Sequence, residues 1–175
     1  MIQEKKSNKA LLVIDVQQGL FHKSHPIYKA GELLSNIISL VERAHQAGVP
    51  VFYIQHADSG DLALGTEGWK LHLRLQPQPE DILLSKQKSN SFEGTNLDEI
   101  LKSKDIDRLV ITGLVTHGCV KNGCLGAKQL GYKVTLVGDA HSNYSARAAE
   151  LIEEWNRKLS LEGVELKPSS EITFE

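Results

Sequence analysis

Arg108-Leu109-Val110-Ile111-Thr112-Gly113-Leu114-Val115-Thr116-His117-Gly118-Cys119-Val120 reads as a strand that runs straight into a helix. Its opening residues are a continuous apolar run, the pattern of a strand covered on both faces, and the stretch after Cys119 is amphipathic as far as Gly131. Cys119 is thereby expected on the first turn of a helix, just past the carboxyl end of a buried strand. The unpaired N–H groups and dipole at a helix start favour negative charge, so the reading predicts a lowered thiol pKa and a more nucleophilic sulfur. The same N–H groups suit an oxyanion forming beside that sulfur.

Working outward, strands and helices alternate. Ala10 to Ile14 is a second all-apolar run. Leu33, Leu34, Ile37, Ile38, Val41 and Ala44 recur with helical period between Tyr28 and Ala47, and Gly48 and Pro50 supply the stop. Strands are predicted at 49–54, 81–85, 109–112, 133–137 and 164–166. Thr95-Asn96-Leu97-Asp98 has capping-box form and opens a short helix through Leu101. Val120, Cys124, Ala127 and Leu130 are expected to face the core from the helix after Cys119, with Gly131 as its C′ residue. A last helix, from about 145 to 159, is expected to bury Ala149, Ile152, Trp155 and Leu159. This βαβ order predicts an α/β fold, a three-layer α/β/α sandwich on a doubly wound, mainly parallel sheet. One domain spans 1–175, with 1–8 expected as a polar, poorly ordered leader. The stretch from Ala57 to Pro79 has little periodicity and is long for a plain connection, which suggests a flap over a site.

Bulk properties narrow the function. The 175 residues are 41% hydrophobic and 24% charged, as in ordinary globular proteins, and the net charge of −2 gives no basis for binding nucleic acid. No apolar run approaches the ~20 residues that span a bilayer, and the start has no signal-peptide pattern, so no membrane is expected as partner and the cytoplasm is expected as location. The two cysteines, Cys119 and Cys124, lie five apart on one helix, where their side chains diverge too far for a disulfide; Cys124 is expected to be structural.

In open α/β sheets, ligands gather beyond the carboxyl ends of the strands. Asp15, Lys86 and Cys119 occupy three such ends, with Lys88 competing with Lys86 two residues later. A carboxylate, an ammonium and a thiol together suit nucleophilic catalysis with a built-in base.

Four segments then carry a resemblance: Leu11-Leu12-Val13-Ile14-Asp15-Val16-Gln17, the stretch from Lys86 to Leu97 containing Ser91-Phe92-Glu93-Gly94-Thr95, Gly113 to Val120, and Gly131-Tyr132-Lys133-Val134-Thr135-Leu136-Val137-Gly138-Asp139-Ala140. In this order they resemble the isochorismatase-like cysteine hydrolases, the superfamily that includes nicotinamidases. The resemblance selects Lys86, six residues before Phe92, over Lys88. It implies a catalytic triad of Asp15, Lys86 and Cys119, a cis peptide between Val115 and Thr116, and an oxyanion site formed by that turn together with the Cys119 N–H. The implied reaction is hydrolysis of a small-molecule amide C–N bond through a Cys119 thioester. The alternatives are an isochorismatase-type vinyl ether hydrolase, or a non-catalytic binding module on the same scaffold.

Nicotinamidases in the superfamily add a metal site after the second strand. Here the order His56-x-Asp58 is reversed and Asp61-x-Ala63 lacks the second histidine, so no metal and no cofactor is expected. Gln17, Leu20, Phe21, Trp69, Phe92 and His117 are the expected substrate-binding residues, by position beside the triad. Relatives are often oligomers, and a homodimer or homotetramer is expected, with the Asp61-Leu62-Ala63-Leu64 loop compatible with a contact.

Overall fold

The computed structural model describes residues 8–175; the expected leader falls almost wholly outside them. In chain order the main elements are β1 (Lys9–Ile14), α1 (Ala30–Gln46), β2 (Val51–His56), β3 (Ile82–Lys86), α2 (Leu97–Ser103), β4 (Arg108–Leu114), α3 (Lys121–Gln129), β5 (Lys133–Ser142), α4 (Ala148–Leu161) and β6 (Glu165–Lys167). The strands form a single sheet in the order β3-β2-β1-β4-β5-β6, and each neighbouring pair is parallel. The chain grows outward from β1 to β3, then returns to the other side of β1 with β4. That reversal makes the β1/β4 boundary the switch point at which α/β sheets bind ligands.

Alternation along the strands builds the three layers. Leu11, Val13, Val51, Tyr53 and Val110 point to one face, where α1 covers them with Leu33, Leu34, Ile37, Leu40, Val41 and Ala44. Ala10, Leu12, Ile14, Phe52, Ile54, Leu109 and Ile111 point to the other, beneath α2, α3 and α4. Ala10 through Ile14 have no exposed surface at all. A side chain of this kind contributes about 1.5–3 kcal/mol when fully buried, which explains an apolar run without polar alternation.

Several expectations are corrected in detail. β5 continues to Ser142, past the expected end at Val137: its register against β4 shifts between Ile111 and Gly113, so that Gly113 pairs with His141 and the strand resumes. In α4 the buried contacts come from Ala148 and Leu159, with Trp155 packed beside them; Ala149 is exposed and lines an open cleft with Ile152, Tyr28, Leu161 and Leu166. Leu130 is 46% exposed, because α3 ends at Gln129 and Leu130 is its cap, while Gly131 follows with φ +94°. The capping box does not form: the cap of α2 is Asn96, whose side chain makes no cap bond. Thr95 Oγ1 accepts from Leu97 N at 3.3 Å, and Asp98 instead holds Lys102 at 2.7 Å and Tyr132 at 2.5 Å. Within the Asp61–Leu64 loop Leu62 is buried and Leu64 exposed. Among the described residues no helix is long and apolar enough to cross a membrane.

Gly113 fixes the spacing at the switch point. Its φ is +124°, and a Cβ there would run into the Ile14 backbone on β1. Gly113→Ala is expected to lower the urea-unfolding free energy by about 3 kcal/mol or more through forbidden backbone geometry and overpacking. A loss below about 1 kcal/mol would show that β1 and β4 can separate without cost.

Candidate active site

Asp15 directly follows β1, and its backbone is left-handed, with φ +54°. Aspartate tolerates this conformation better than most residues, and it ends the strand while its N–H still bonds Ile54 O at 2.8 Å. Lys86 closes β3, two strands away from Asp15, and is in register with His56, the last residue of β2. Its side chain crosses the end of β2 to reach Asp15, a distance its four-carbon stem spans. Cys119 lies in a single π-type turn, Thr116–Val120, between β4 and α3. The three sequence-predicted residues meet here: Lys86 Nζ is 3.2 Å from Cys119 Sγ and 3.4 Å from Asp15 Oδ2.

The ammonium has two further partners, His56 Nδ1 at 2.9 Å and Lys88 O at 3.0 Å. An ammonium only donates, so His56 Nδ1 accepts and the ring proton sits on Nε2. Burial first, then the Lys86 charge, lowers the His56 pKa, which keeps the ring neutral. Ser89 Oγ lies 3.7 Å from Cys119 Sγ and is itself held by Asn122 Nδ2 at 2.8 Å. His56, Ser89 and Asn122 were not singled out for these places. The strand-end position of His56 was the available signal.

The expected lowering of the thiol pKa is reversed. Burial, aided by the Asp15 charge, pushes the Cys119 thiol up to about 11, with Lys86 opposing. A half-charge at a helix start is outweighed by removal of the sulfur from water, and the regular turns of α3 begin only at Lys121. Burial also raises the Asp15 pKa, again against Lys86. Asp15 is thus a stronger base than a solvated carboxylate, facing a thiol that keeps its proton at neutral pH. Its Oδ1 is buried and has no hydrogen-bond partner among the described residues.

The turn carrying Cys119 is fixed from behind. The cis peptide lies between Leu114 and Val115, one bond earlier than expected, so Val115 and Thr116 are joined in trans. Thr116 Oγ1 contacts His141 Nδ1 at 2.9 Å, His141 Nε2 contacts Asn156 Oδ1 at 2.6 Å, and Asn156 Nδ2 donates to Gly138 O at 3.3 Å. The last bond sets the amide orientation, so His141 donates from Nε2 and accepts from Thr116. Asn143 Nδ2 donates to Thr116 Oγ1 at 3.2 Å. The chain is fully satisfied only with His141 neutral, and burial pushes its pKa down to about 4.

The expected substrate contacts divide. His117 is exposed on the turn beside Cys119. Gln17 has no exposed surface and ties loops together instead: its Nε2 donates to His56 O and Trp69 O, and its Oε1 accepts from His56 N at 2.8 Å. Leu20 is buried in the α1-side core, and Phe21 packs against that core and meets His72 edge-on at 4.6 Å. Phe92 belongs to the opposite core and stacks on Tyr132 at 5.7 Å. Trp69 Nε1 is buried and has no partner among the described residues, on a loop that pairs with the segment after β1 through Gly19 N to Gly68 O and His72 N to Val16 O.

Asp15, His56 and Cys119 each offer a donor atom within 4.8 Å of the others. The Lys86 ammonium already bonds all three, so a metal cation would meet a fixed positive charge at its centre. Asp58 Oδ1 accepts from the N–H groups of Gly60 and Leu62, and His72 Nδ1 from that of Arg74, which commits both to loop geometry. This donor set does not fit a metal.

Two outcomes check these charge states. Asp15→Asn should lower the Cys119 pKa from about 11, because a negative neighbour is removed, and Lys86→Met should raise it; thiolate ultraviolet absorbance reads both. Since His141 titrates near 4 when folded and near 6.5 when unfolded, the unfolded state binds the extra proton between those values. Stability should fall by about 3 kcal/mol as pH drops through that window, and His141→Asn should remove this part of the slope. An unchanged slope in the variant would place the titration elsewhere.

Residues 9–154 match the isochorismatase domain model. Streptothricin hydrolase of Streptomyces noursei is 32% identical over 142 residues, covering 80% of this chain; the chain spans about half (51%) of that protein's length. An uncharacterised isochorismatase family protein of Bacillus subtilis, YrdC, is 32% identical over 81% of this chain and 78% of its own. The crystal structure of N-carbamoylsarcosine amidase from Thermoplasma acidophilum superposes with a TM-score of 0.80 at 25% identity, covering 94% of this chain and 98% of that one. With that match covering most of its length, the chain belongs to the isochorismatase family.

Proposed function

We propose that the protein is a cysteine amidohydrolase that cleaves a small-molecule C–N bond, with Cys119 as nucleophile, Asp15 as proton carrier and Lys86 as the fixed counter-charge. The observation that carries this reading is the buried contact of Lys86 Nζ with both Cys119 Sγ and Asp15 Oδ2. The amidase named among the solved relatives, and the hydrolase named among the sequence relatives, support it.

The resting site holds a neutral thiol, a carboxylate and an ammonium. As Sγ attacks the carbonyl carbon, the thiol proton moves to Asp15 and the carbonyl oxygen takes up the negative charge. The site's net charge is unchanged, so the Lys86 ammonium remains compensated throughout. Backbone N–H groups of the Thr116–Cys119 turn serve as oxyanion donors. Protonated Asp15 then delivers its proton to the leaving nitrogen as the C–N bond breaks. The carboxylate so regenerated takes a proton from water, whose oxygen attacks the thioester and frees the acid and the thiol.

Cys119→Ala should reduce ammonia or amine release from a panel of small amides by at least 10³-fold while leaving the unfolding transition in place. Stoichiometric alkylation of Cys119 by iodoacetamide should do the same. An alkylated enzyme that still turns over would overturn the thioester route and point to vinyl ether chemistry at Asp15.

A further inference from the structure

The ammonium of Lys86 has three N–H bonds and four acceptors within reach: His56 Nδ1 at 2.9 Å, Lys88 O at 3.0 Å, Cys119 Sγ at 3.2 Å and Asp15 Oδ2 at 3.4 Å. The two shortest contacts go to the uncharged acceptors. The longest goes to the carboxylate, the group that attracts an ammonium most strongly. Lys86 and Asp15 have 0% and 4% exposed side chains, so water does not weaken that attraction. Something restrains the pair from closing, and the restraint is visible. His56 stands at the end of β2, between β3 and β1, with its backbone N–H fixed by Gln17 Oε1 and its carbonyl by Gln17 Nε2.

We propose that His56 is a positioning residue: by accepting one Lys86 proton at Nδ1, it holds the ammonium back from Asp15, so that a single N–H is shared between carboxylate and thiol. A closed Lys86–Asp15 pair would weaken Asp15 as a base and draw the ammonium from the sulfur. The shared position serves both. Asp15 retains its capacity to take the thiol proton, and the third N–H follows the negative charge as it moves. The charged and titratable groups around His56 are Lys86 from β3, Asp15 after β1, Cys119 from the turn after β4, and Asp58 from the following loop. This inference rests on Asp15 being the base of the proposed reaction. Its test reads the thiol itself, so its failure is distinct from a failure to find a substrate.

The probe is the rate of Cys119 alkylation by iodoacetamide as a function of pH, followed by intact mass, in the full chain and in three variants. His56→Leu keeps the volume and removes the acceptor. His56→Asn places a carbonyl oxygen near the Nδ1 position, whereas His56→Gln places it near Nε2. With the restraint gone, Lys86 closes on Asp15. The acid limb of the rate profile, which reports Asp15, should then shift to lower pH by about one unit, and the rate at neutral pH should fall about tenfold. His56→Asn should return both to within about threefold of the native chain, and His56→Gln should behave like His56→Leu. Where a substrate has been identified, kcat should fall in the leucine variant with KM little changed. Added apolar bulk alone would push the Asp15 limb upward, by desolvation. An upward or unmoved limb in His56→Leu therefore overturns the proposal, as does an asparagine variant no better than the leucine one. If His56→Leu does not fold, the asparagine and glutamine variants decide it by their difference; equal profiles in these two overturn it.

Discussion

A single buried ammonium organises this end of the molecule. Lys86 is a cation with no exposed side-chain surface, and a buried charge persists only when it is paired and hydrogen-bonded. Its partners come from the residue after β1, the end of β2, the segment after β3, and the turn after β4. Each must be delivered to within about 0.5 Å for the arrangement to work, which makes the sheet order a chemical requirement as well as a packing one. The left-handed Asp15, the close β1–β4 approach at Gly113 and the loop ties made by Gln17 all serve that delivery.

Behind the turn lies a second buried polar set with no charge in it. The Thr116, His141, Asn156 and Asn143 side chains satisfy one another in a fixed sense of donation. Such networks are costly when one partner is missing and rigid when complete. One side of Cys119 is thus bordered by an ionic cluster, and the other by a neutral one.

The fold was legible because its signals were local and strong. Apolar runs such as Ala10–Ile14 and the periodic Leu33–Ala44 face report burial directly, and their order gives the parallel sheet. Element ends were less so. The run expected to end at Val137 continues through a register shift to His141 and Ser142, and in α4 Ala148 takes the buried place expected of Ala149 while Trp155 and Leu159 pack as their spacing suggests. At the site, the identities of Asp15, Lys86 and Cys119 could be read from strand ends and motif order. Their electrostatics could not, because a helix start is visible in sequence while the depth at which it is buried is not. Gln17 shows the same limit. A glutamine two residues from Asp15 invites a role toward ligand, and only the fold reveals that Trp69 O, His56 O and His56 N consume its amide.

The raised thiol pKa of Cys119 has a consequence beyond turnover. Oxidants such as peroxide react with thiolate, and a thiol near 11 holds roughly one molecule in ten thousand in that form at neutral pH. A hydrolase whose sulfur was permanently ionised would be open to sulfenic and sulfinic acid formation between substrate encounters. In the proposed reaction the thiol gives up its proton to Asp15 only as an electrophile engages the sulfur. The burial that raises the pKa therefore also shrinks the resting thiolate population on which such oxidants act.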